Sequence, residues 1–464
     1  MTRATTTATE YAWAALGGDP ALLAHVSAVV RDGALNARLP VRELARACVG
    51  ACALAAAELA AARTGGAVPG VRVDDGAVAT AFASERWLRV DGREPVVFAP
   101  LSRFWRTADG WVRTHLNHPH HRARLTAALG LPGDASAEAV AGRLAGRPAA
   151  EAEDAVYAAG GLAVALRTAR EWAAHAQGAA VARLPLVGRE RLDAGPPRAL
   201  PRPAASPLLP ASGVRVLDLT RVVAGPVATR TLALLGADVL RVDPPRLPEL
   251  PDQHADTGFG KRSVTLDLSR DRRAFEELLD AADVVVTGYR PGSLDRFGPA
   301  PRALAERRPG LVVAQLSAWG HEGPWAGRRG FDSLVQAATG IAVAEGSAER
   351  PGALPAQALD HGTGYLLAGA VLRSLTDRSR EGGTRLVRLA LARTAAWLTD
   401  GTPRDPGPAD TVHEGPGPWL TETDSPLGRL RYARPPVSFT GGPDDWTRPP
   451  GPWGADPARW ATGA

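Results

Sequence analysis

Lys261 is the only lysine in a chain of 464 residues, and arginine supplies every other strongly basic side chain. It lies in "GFGKRSVTLDL" (258–268). Arginine is a planar fork, whereas lysine is a slim point charge on a flexible stem. Keeping lysine against that background asks for slimness, the alternative being a neutral survival on a solvated loop. Four histidines crowd into "HLNHPHHRA" (His115, His118, His120 and His121). No Cys, Asp or Glu stands beside them at ligand spacing and Pro119 interrupts the run, so no metal site is expected. Cys48 and Cys52 fall four apart on one helical face and read as small buried hydrophobes rather than a redox or zinc pair.

These residues need a frame to hold them. The pattern "VRVLDLT", a helix from Pro226, "ADVLRVD", "SVTLDL", the helix "DRRAFEELLDAA", "DVVVTG" and "LVVAQLS" alternates strand and amphipathic helix. That alternation predicts an α/β fold with a doubly wound, mostly parallel, Rossmann-like sheet, accompanied by a smaller α+β domain. The loop in "TRVVAGPVATR" then sits at the carboxyl end of a strand, where such sheets bind ligands. Without G-x-G-x-x-G a dinucleotide is not expected, although Asp243 ends the second strand where a ribose-binding acid would stand. Asp360 opens "DHGTGYLLAGAVLRSLTDRSREGG" in cap position, and Gly382-Gly383 close it. Residues 46–73 echo 360–389 as helix, double glycine and strand, with Arg46 facing Asp360 and Gly50 facing Gly364.

Composition narrows the partners. The formal net charge of +5 is small for this length and the arginines are scattered among acids, so nucleic acid is not expected. No apolar run appears long enough for a membrane span and the N-terminus lacks a secretory pattern, which points to the cytoplasm.

Five blocks, "RVLDLTRVVAGPVATRTLALLGADVLRVDPP", "GKRSVTLDLSRD", "ADVVVTGYRPGSLDRFG", "GFDSLVQAATG" and "DHGTGYLLAGAVLRSL", run in order between residues 213 and 392. In this order they resemble the class III CoA-transferases, the CaiB/BaiF family. The resemblance implies acyl-CoA and a carboxylic acid as substrates, coenzyme A as the carried group, no prosthetic group and no metal. It places the family's nucleophilic aspartate at Asp360, which would form an acyl anhydride and then an enzyme–CoA thioester. A helix start would keep that carboxylate ionised, and nearby glycines would admit the thioester. By the same matching Lys261 falls at a CoA phosphate, Val222 and Ala224 in the loop beside the cofactor, Tyr289 near the adenine, and Arg296 and Arg329 at cationic contacts.

The pattern also departs from the family. Gly288 stands where an asparagine is frequent, and Pro244 or Pro245 replaces a cation. Too few residues follow Trp397 to hold the usual small domain, whereas 82–190 resembles it. The expected division is therefore 1–81 as a helical, decayed large-domain copy, 82–190 as the small-domain-like region, 191–212 as a Pro-rich linker, 213–400 as the CoA-binding domain and 401–464 as a Pro/Gly-rich return. The assembly expected is a homodimer or a fused pseudo-dimer. Two rivals remain: a non-catalytic CoA-ester-binding protein, suggested by Arg46 and Gly288, and an alpha-methylacyl-CoA racemase, disfavoured because Phe331 occupies the position of a proton-carrying histidine.

Overall fold

A computed structural model describes residues 6–404 and 409–461. Its largest sheet contains seven strands: β1 (Gly188–Arg191), β2 (Arg215–Leu219), β3 (Asp238–Asp243), β4 (Arg262–Thr265), β5 (Val284–Thr287), β6 (Val312–Ser317) and β7 (Arg385–Ala390). They lie in the order β4-β3-β2-β5-β6-β7-β1, all parallel except β1, which runs antiparallel to β7. The Val-rich run of β5 is buried throughout, as expected of a strand covered by helices on both faces. The chain is thus an α/β protein with the expected sheet.

The boundaries differ from the expected ones. β1 precedes the Pro-rich run and yet completes the large sheet, so the sheet receives a strand from the region read as a separate small domain. That region builds its own antiparallel sheet from Phe104–Arg106, Trp111–Thr114 and Ala163–Ala165 over a core of Trp105, Val112, Leu125 and Val156. The C-terminal return is also structured. Its hairpin, Leu420–Ser425 with Gly428–Ala433, pairs with Arg89–Val90, and the indole N–H groups of Trp446, Trp453 and Trp460 donate to Arg230 O, Asp243 and Leu278 O.

Helix α1 (Val41–Thr64) packs on a later helix, here α3 (Ala358–Glu381), with α2 (Ala224–Leu234) on the other side of α3. Glycines permit the close approach. A Cβ on Gly362 would lie 3.4 Å from Cys48 Sγ, and one on Gly369 would lie 3.2 Å from Cys52 Cα. Both thiols are fully buried in this seam, and burial pushes Cys52 up to about 12. Contrary to the sequence expectation, α1 is long and apolar enough to cross a membrane, but it is spent on this contact and almost wholly covered by protein.

The echo has a structural counterpart. α1 ends at Gly65 (φ 72°) and leads through Val71–Asp74 into the helix Asp75–Ala81. α3 ends at Gly382 (φ 73°) and leads through β7 into the helix Leu391–Asp400. Arg46 does not mimic Asp360; it forms a buried ion pair with Asp75, at 2.6 Å and 2.8 Å.

Candidate active site

After β2 the chain turns through Thr220–Val223 into α2. Val222 adopts φ 70°, a left-handed conformation that a β-branched residue rarely takes. Its N–H donates to Glu249 Oε2 at 2.9 Å, and Glu249 is held in turn by Arg241, also at 2.9 Å. The carboxylate of Asp218 lies under the loop and accepts from Thr220, from Thr229 and from Lys261 Nζ at 3.1 Å. Lys261 also donates to Pro226 O at 2.9 Å, tying β4 to the start of α2. It is buried, and burial pushes its ammonium down to about 8 although Asp218 opposes the shift. The lone lysine is therefore an internal strut in this structure, not a side chain presented to a phosphate: it contributes to neither cavity wall described below.

The other six expected residues converge. Val222, Ala224, Tyr289, Arg296, Arg329 and Asp360 all line one cleft of about 330 Å³. Asp360 enters as the third residue of α3, Gln357 being the cap, so the predicted cap position was three residues late. Its carboxylate is the only acid among the described residues lining the cleft, and it makes no hydrogen bond or ion pair among them.

The start of α3 does not serve Asp360. Asp332 Oδ2 accepts the N–H groups of Leu359 and Asp360 at 2.9 Å and 3.0 Å, while its other oxygen accepts from Gln336. Burial raises Asp332 to about 6. Burial, then the neighbouring Asp332, then Glu85 push Asp360 well above the usual carboxylate range. The expectation of an easily ionised nucleophile is thus reversed, because a second acid already occupies the N–H groups that would have favoured its charge. Behind it, fully buried His361 meets Glu85 at 3.2 Å. The glycine expectation changes as well: a Cβ on Gly364 would lie 2.6 Å from Ala224 O, so Gly364 serves helix packing rather than a ligand.

Sequence reasoning missed several neighbours. His118, His120 and His121 line the cleft, although only metal chemistry had been considered for them, and no cluster capable of holding a metal exists among the described residues. Burial lowers His120 to about 4 and His121 to about 2, so both are neutral imidazoles at neutral pH. Phe331 also lines the cleft and stacks on His115 with ring centroids 3.9 Å apart. Glu85 gave no local signal, since it reaches His361 across 276 residues of chain.

A second cavity, about 450 Å³, lies at the carboxyl ends of β2, β3 and β4. It shares Leu247, Tyr289, Leu294, Arg296 and Phe297 with the cleft, and Pro244, Pro245, Arg246 and Arg270 also line it. Arg296, stacked on Phe297 at 4.6 Å, and Arg329 have no acidic partner among the described residues.

The family profile described as CoA-transferase family III matches residues 211–418, the segment carrying β2 to β7, α2 and α3. This segment is similar to CoA-transferase family III. The "Probable fatty acyl-CoA transferase Rv3272" of Mycobacterium tuberculosis is 36% identical over 212 residues, covering 42% of this chain and 54% of that protein. An "Acyl-CoA transferase" of Gibberella moniliformis is 30% identical over 315 residues, covering 62% and 55%. The Formyl-CoA:oxalate CoA-transferase of Streptomyces coelicolor is 34% identical over 193 residues, covering 39% and 47%. A crystal structure of Rv3272 aligns with TM-score 0.38 at 37% identity, over 40% of this chain and 54% of that one. The chain thus spans about half the length of these CoA-transferase relatives, and the family segment holds every expected site residue.

Proposed function

We propose that this protein transfers CoA from an acyl-CoA thioester to a carboxylic acid, with Asp360 as the covalent nucleophile. One observation carries the reading: the sole acid among the described residues of a cleft rich in guanidinium groups has no partner of its own among them. Asp360 attacks the thioester carbonyl, giving an acyl-aspartyl anhydride and CoA thiolate. The thiolate attacks the aspartyl carbonyl, releasing the donor acid and leaving an Asp360–CoA thioester. The acceptor carboxylate displaces thiolate to form a second anhydride, and thiolate then attacks the acceptor carbonyl, yielding acceptor-CoA and free Asp360.

The geometry supports each part. Burial and like charge make the Asp360 anion more basic than a solvated carboxylate, which raises its nucleophilicity once ionised. Arg296 and Arg329, without an acidic partner among the described residues, offer guanidinium groups suited to phosphate, and Arg246 lines the adjoining cavity. Tyr289 lines both spaces, so a CoA laid along them passes it. Lys261 acts indirectly by holding the Val222–Ala224 wall.

The test is mass spectrometry of the Asp360 peptide after incubation with acyl-CoAs, with hydroxylamine to trap anhydride and thioester. An adduct on Asp360 that vanishes in Asp360→Asn supports the reading; full turnover by Asp360→Ala overturns it. A second reading, proton exchange alpha to the thioester, is favoured by the neutral imidazoles of His118, His120 and His121 in the same cleft. Deuterium incorporation into recovered acyl-CoA in D2O, without transfer, would establish it instead.

A further inference from the structure

A separate cavity of about 290 Å³ lies behind the start of α3, bounded by Gln357, the cap residue of α3, and by Ser333 of the helix Asp332–Ala338. It shares no lining residue with the cleft that contains Asp360, and His115 divides the two. The imidazole of His115 stacks on Phe331 of the cleft, lies edge-on to Phe98 of the second space at 6.3 Å, and meets Ser333 Oγ at 3.5 Å.

The chemistry of this second space is distinctive. Arg113 and Phe104 face each other across two paired strands, and the guanidinium lies 5.3 Å from the Phe104 ring and 5.5 Å from the Phe98 ring. Arg113 has no hydrogen bond or acidic partner among the described residues, and no acid lines the cavity. Burial lowers its guanidinium to about 10. A second guanidinium, Arg86, lies at the rim, bonded to Pro355 O. The amide of Gln357 is likewise unbonded among the described residues. A partly buried cation without an anion is costly, and a carboxylate is the group that would relieve it. Phe98 and Phe104, which line the same cavity, call for an apolar body attached to that carboxylate.

We infer that this cavity binds a small carboxylic acid with an aryl or branched-alkyl body, its carboxylate on Arg113 and its body between Phe98 and Phe104, as the docking site of the acceptor acid. The acceptor role rests on the transfer reading; the binding does not. The volume suits one ring or a short branched chain, so acceptors of this size are selected over long acyl chains. His115 and the start of α3 stand between the two spaces, so the acid leaves Arg113 before its carboxylate meets Asp360.

Calorimetry of the full chain with phenylacetate and isobutyrate, without CoA, tests the site. Phenylacetate is expected to bind at least tenfold more tightly than phenylacetamide. Arg113→Met is expected to remove that preference, and Arg113→Lys to retain part of it, with thermal melting used to compare the folding of both. Equal binding of acid and amide, or unchanged binding in a folded Arg113→Met, overturns the site. With acetyl-CoA as donor, Arg113→Met is expected to raise the KM for phenylacetate at least tenfold while leaving that for acetyl-CoA unchanged. Arg113-dependent binding without transfer from any acyl-CoA would defeat the transfer reading and leave the site; transfer without Arg113-dependent binding would defeat the site alone.

Discussion

Asp332 holds the first turn of α3 by accepting the backbone N–H groups of both Leu359 and Asp360, so two buried acids meet at one helix start and only one of them is satisfied. The arrangement couples the ionisation of Asp360 to that of its neighbour. Burial, then Asp332, raises Asp360. Asp332→Asn keeps an oxygen for the N–H groups and removes the like charge. The acid limb of the kcat/KM–pH profile should therefore move to lower pH in Asp332→Asn, whereas Asp332→Ala should lose activity by fraying the helix start. A pH–rate profile of the three proteins checks this.

Asp360→Asn should lower transfer by at least roughly 1,000-fold, because no covalent intermediate can form, while CoA binding stays within several-fold. Stability should move the other way. A carboxylic acid raised above its unfolded pKa contributes stability at low pH that is lost as pH climbs through the folded value, so the wild type carries a penalty at pH 8 that Asn lacks. Urea unfolding at pH 5 and pH 8 should show the variant gaining relative stability at the higher pH.

Lys261→Met leaves Asp218 buried without its cation, although Thr220 and Thr229 still donate to it. Breaking a buried pair from one side costs about 3–5 kcal/mol. The expected result is a large fall in unfolding free energy, with CoA affinity lowered only through the displaced Val222 loop and with no change in its salt dependence. Titration with CoA and dephospho-CoA at low and high salt distinguishes this from a phosphate contact, which would flatten the salt response on removal of the ammonium.

Arg46→Met, in α1, should also lower stability. It takes the closest cation from Asp75, whose side chain is fully buried, leaving it Arg42 at 3.9 Å and the Arg31 N–H at 3.0 Å, so the cost should fall below the roughly 3–5 kcal/mol of a fully broken pair while the remaining folded protein keeps its kcat. Denaturant melts paired with kcat per folded molecule check both halves of the statement.

The parallel strands were legible because buried β-branched runs such as Val284–Thr287 announce themselves. β1 was not, since Gly-Arg-Glu-Arg is polar and pairs with the sheet on one side only. The convergence of Tyr289, Arg296, Arg329 and Asp360 followed from motif order. The electrostatics did not, because Asp332 and Glu85 approach Asp360 from distant chain positions, and helix-start N–H groups can be satisfied by residues no local window contains. Lys261 shows how a signal can be misread. A strand sequence does not tell whether a lone cation points toward a ligand or into the core, and here it points into the core.

The pairing of α1 with α3 sets a timetable for synthesis. Residue 64 leaves the ribosome nearly 300 residues before residue 358, and at about 5–20 residues per second this apolar helix waits roughly 15 to 60 seconds for its partner. During that interval a surface as greasy as a membrane span stays uncovered on the growing chain. Folding yield should therefore depend on helpers that shelter the nascent N-terminal third, and slowing translation between the two helices should lower it.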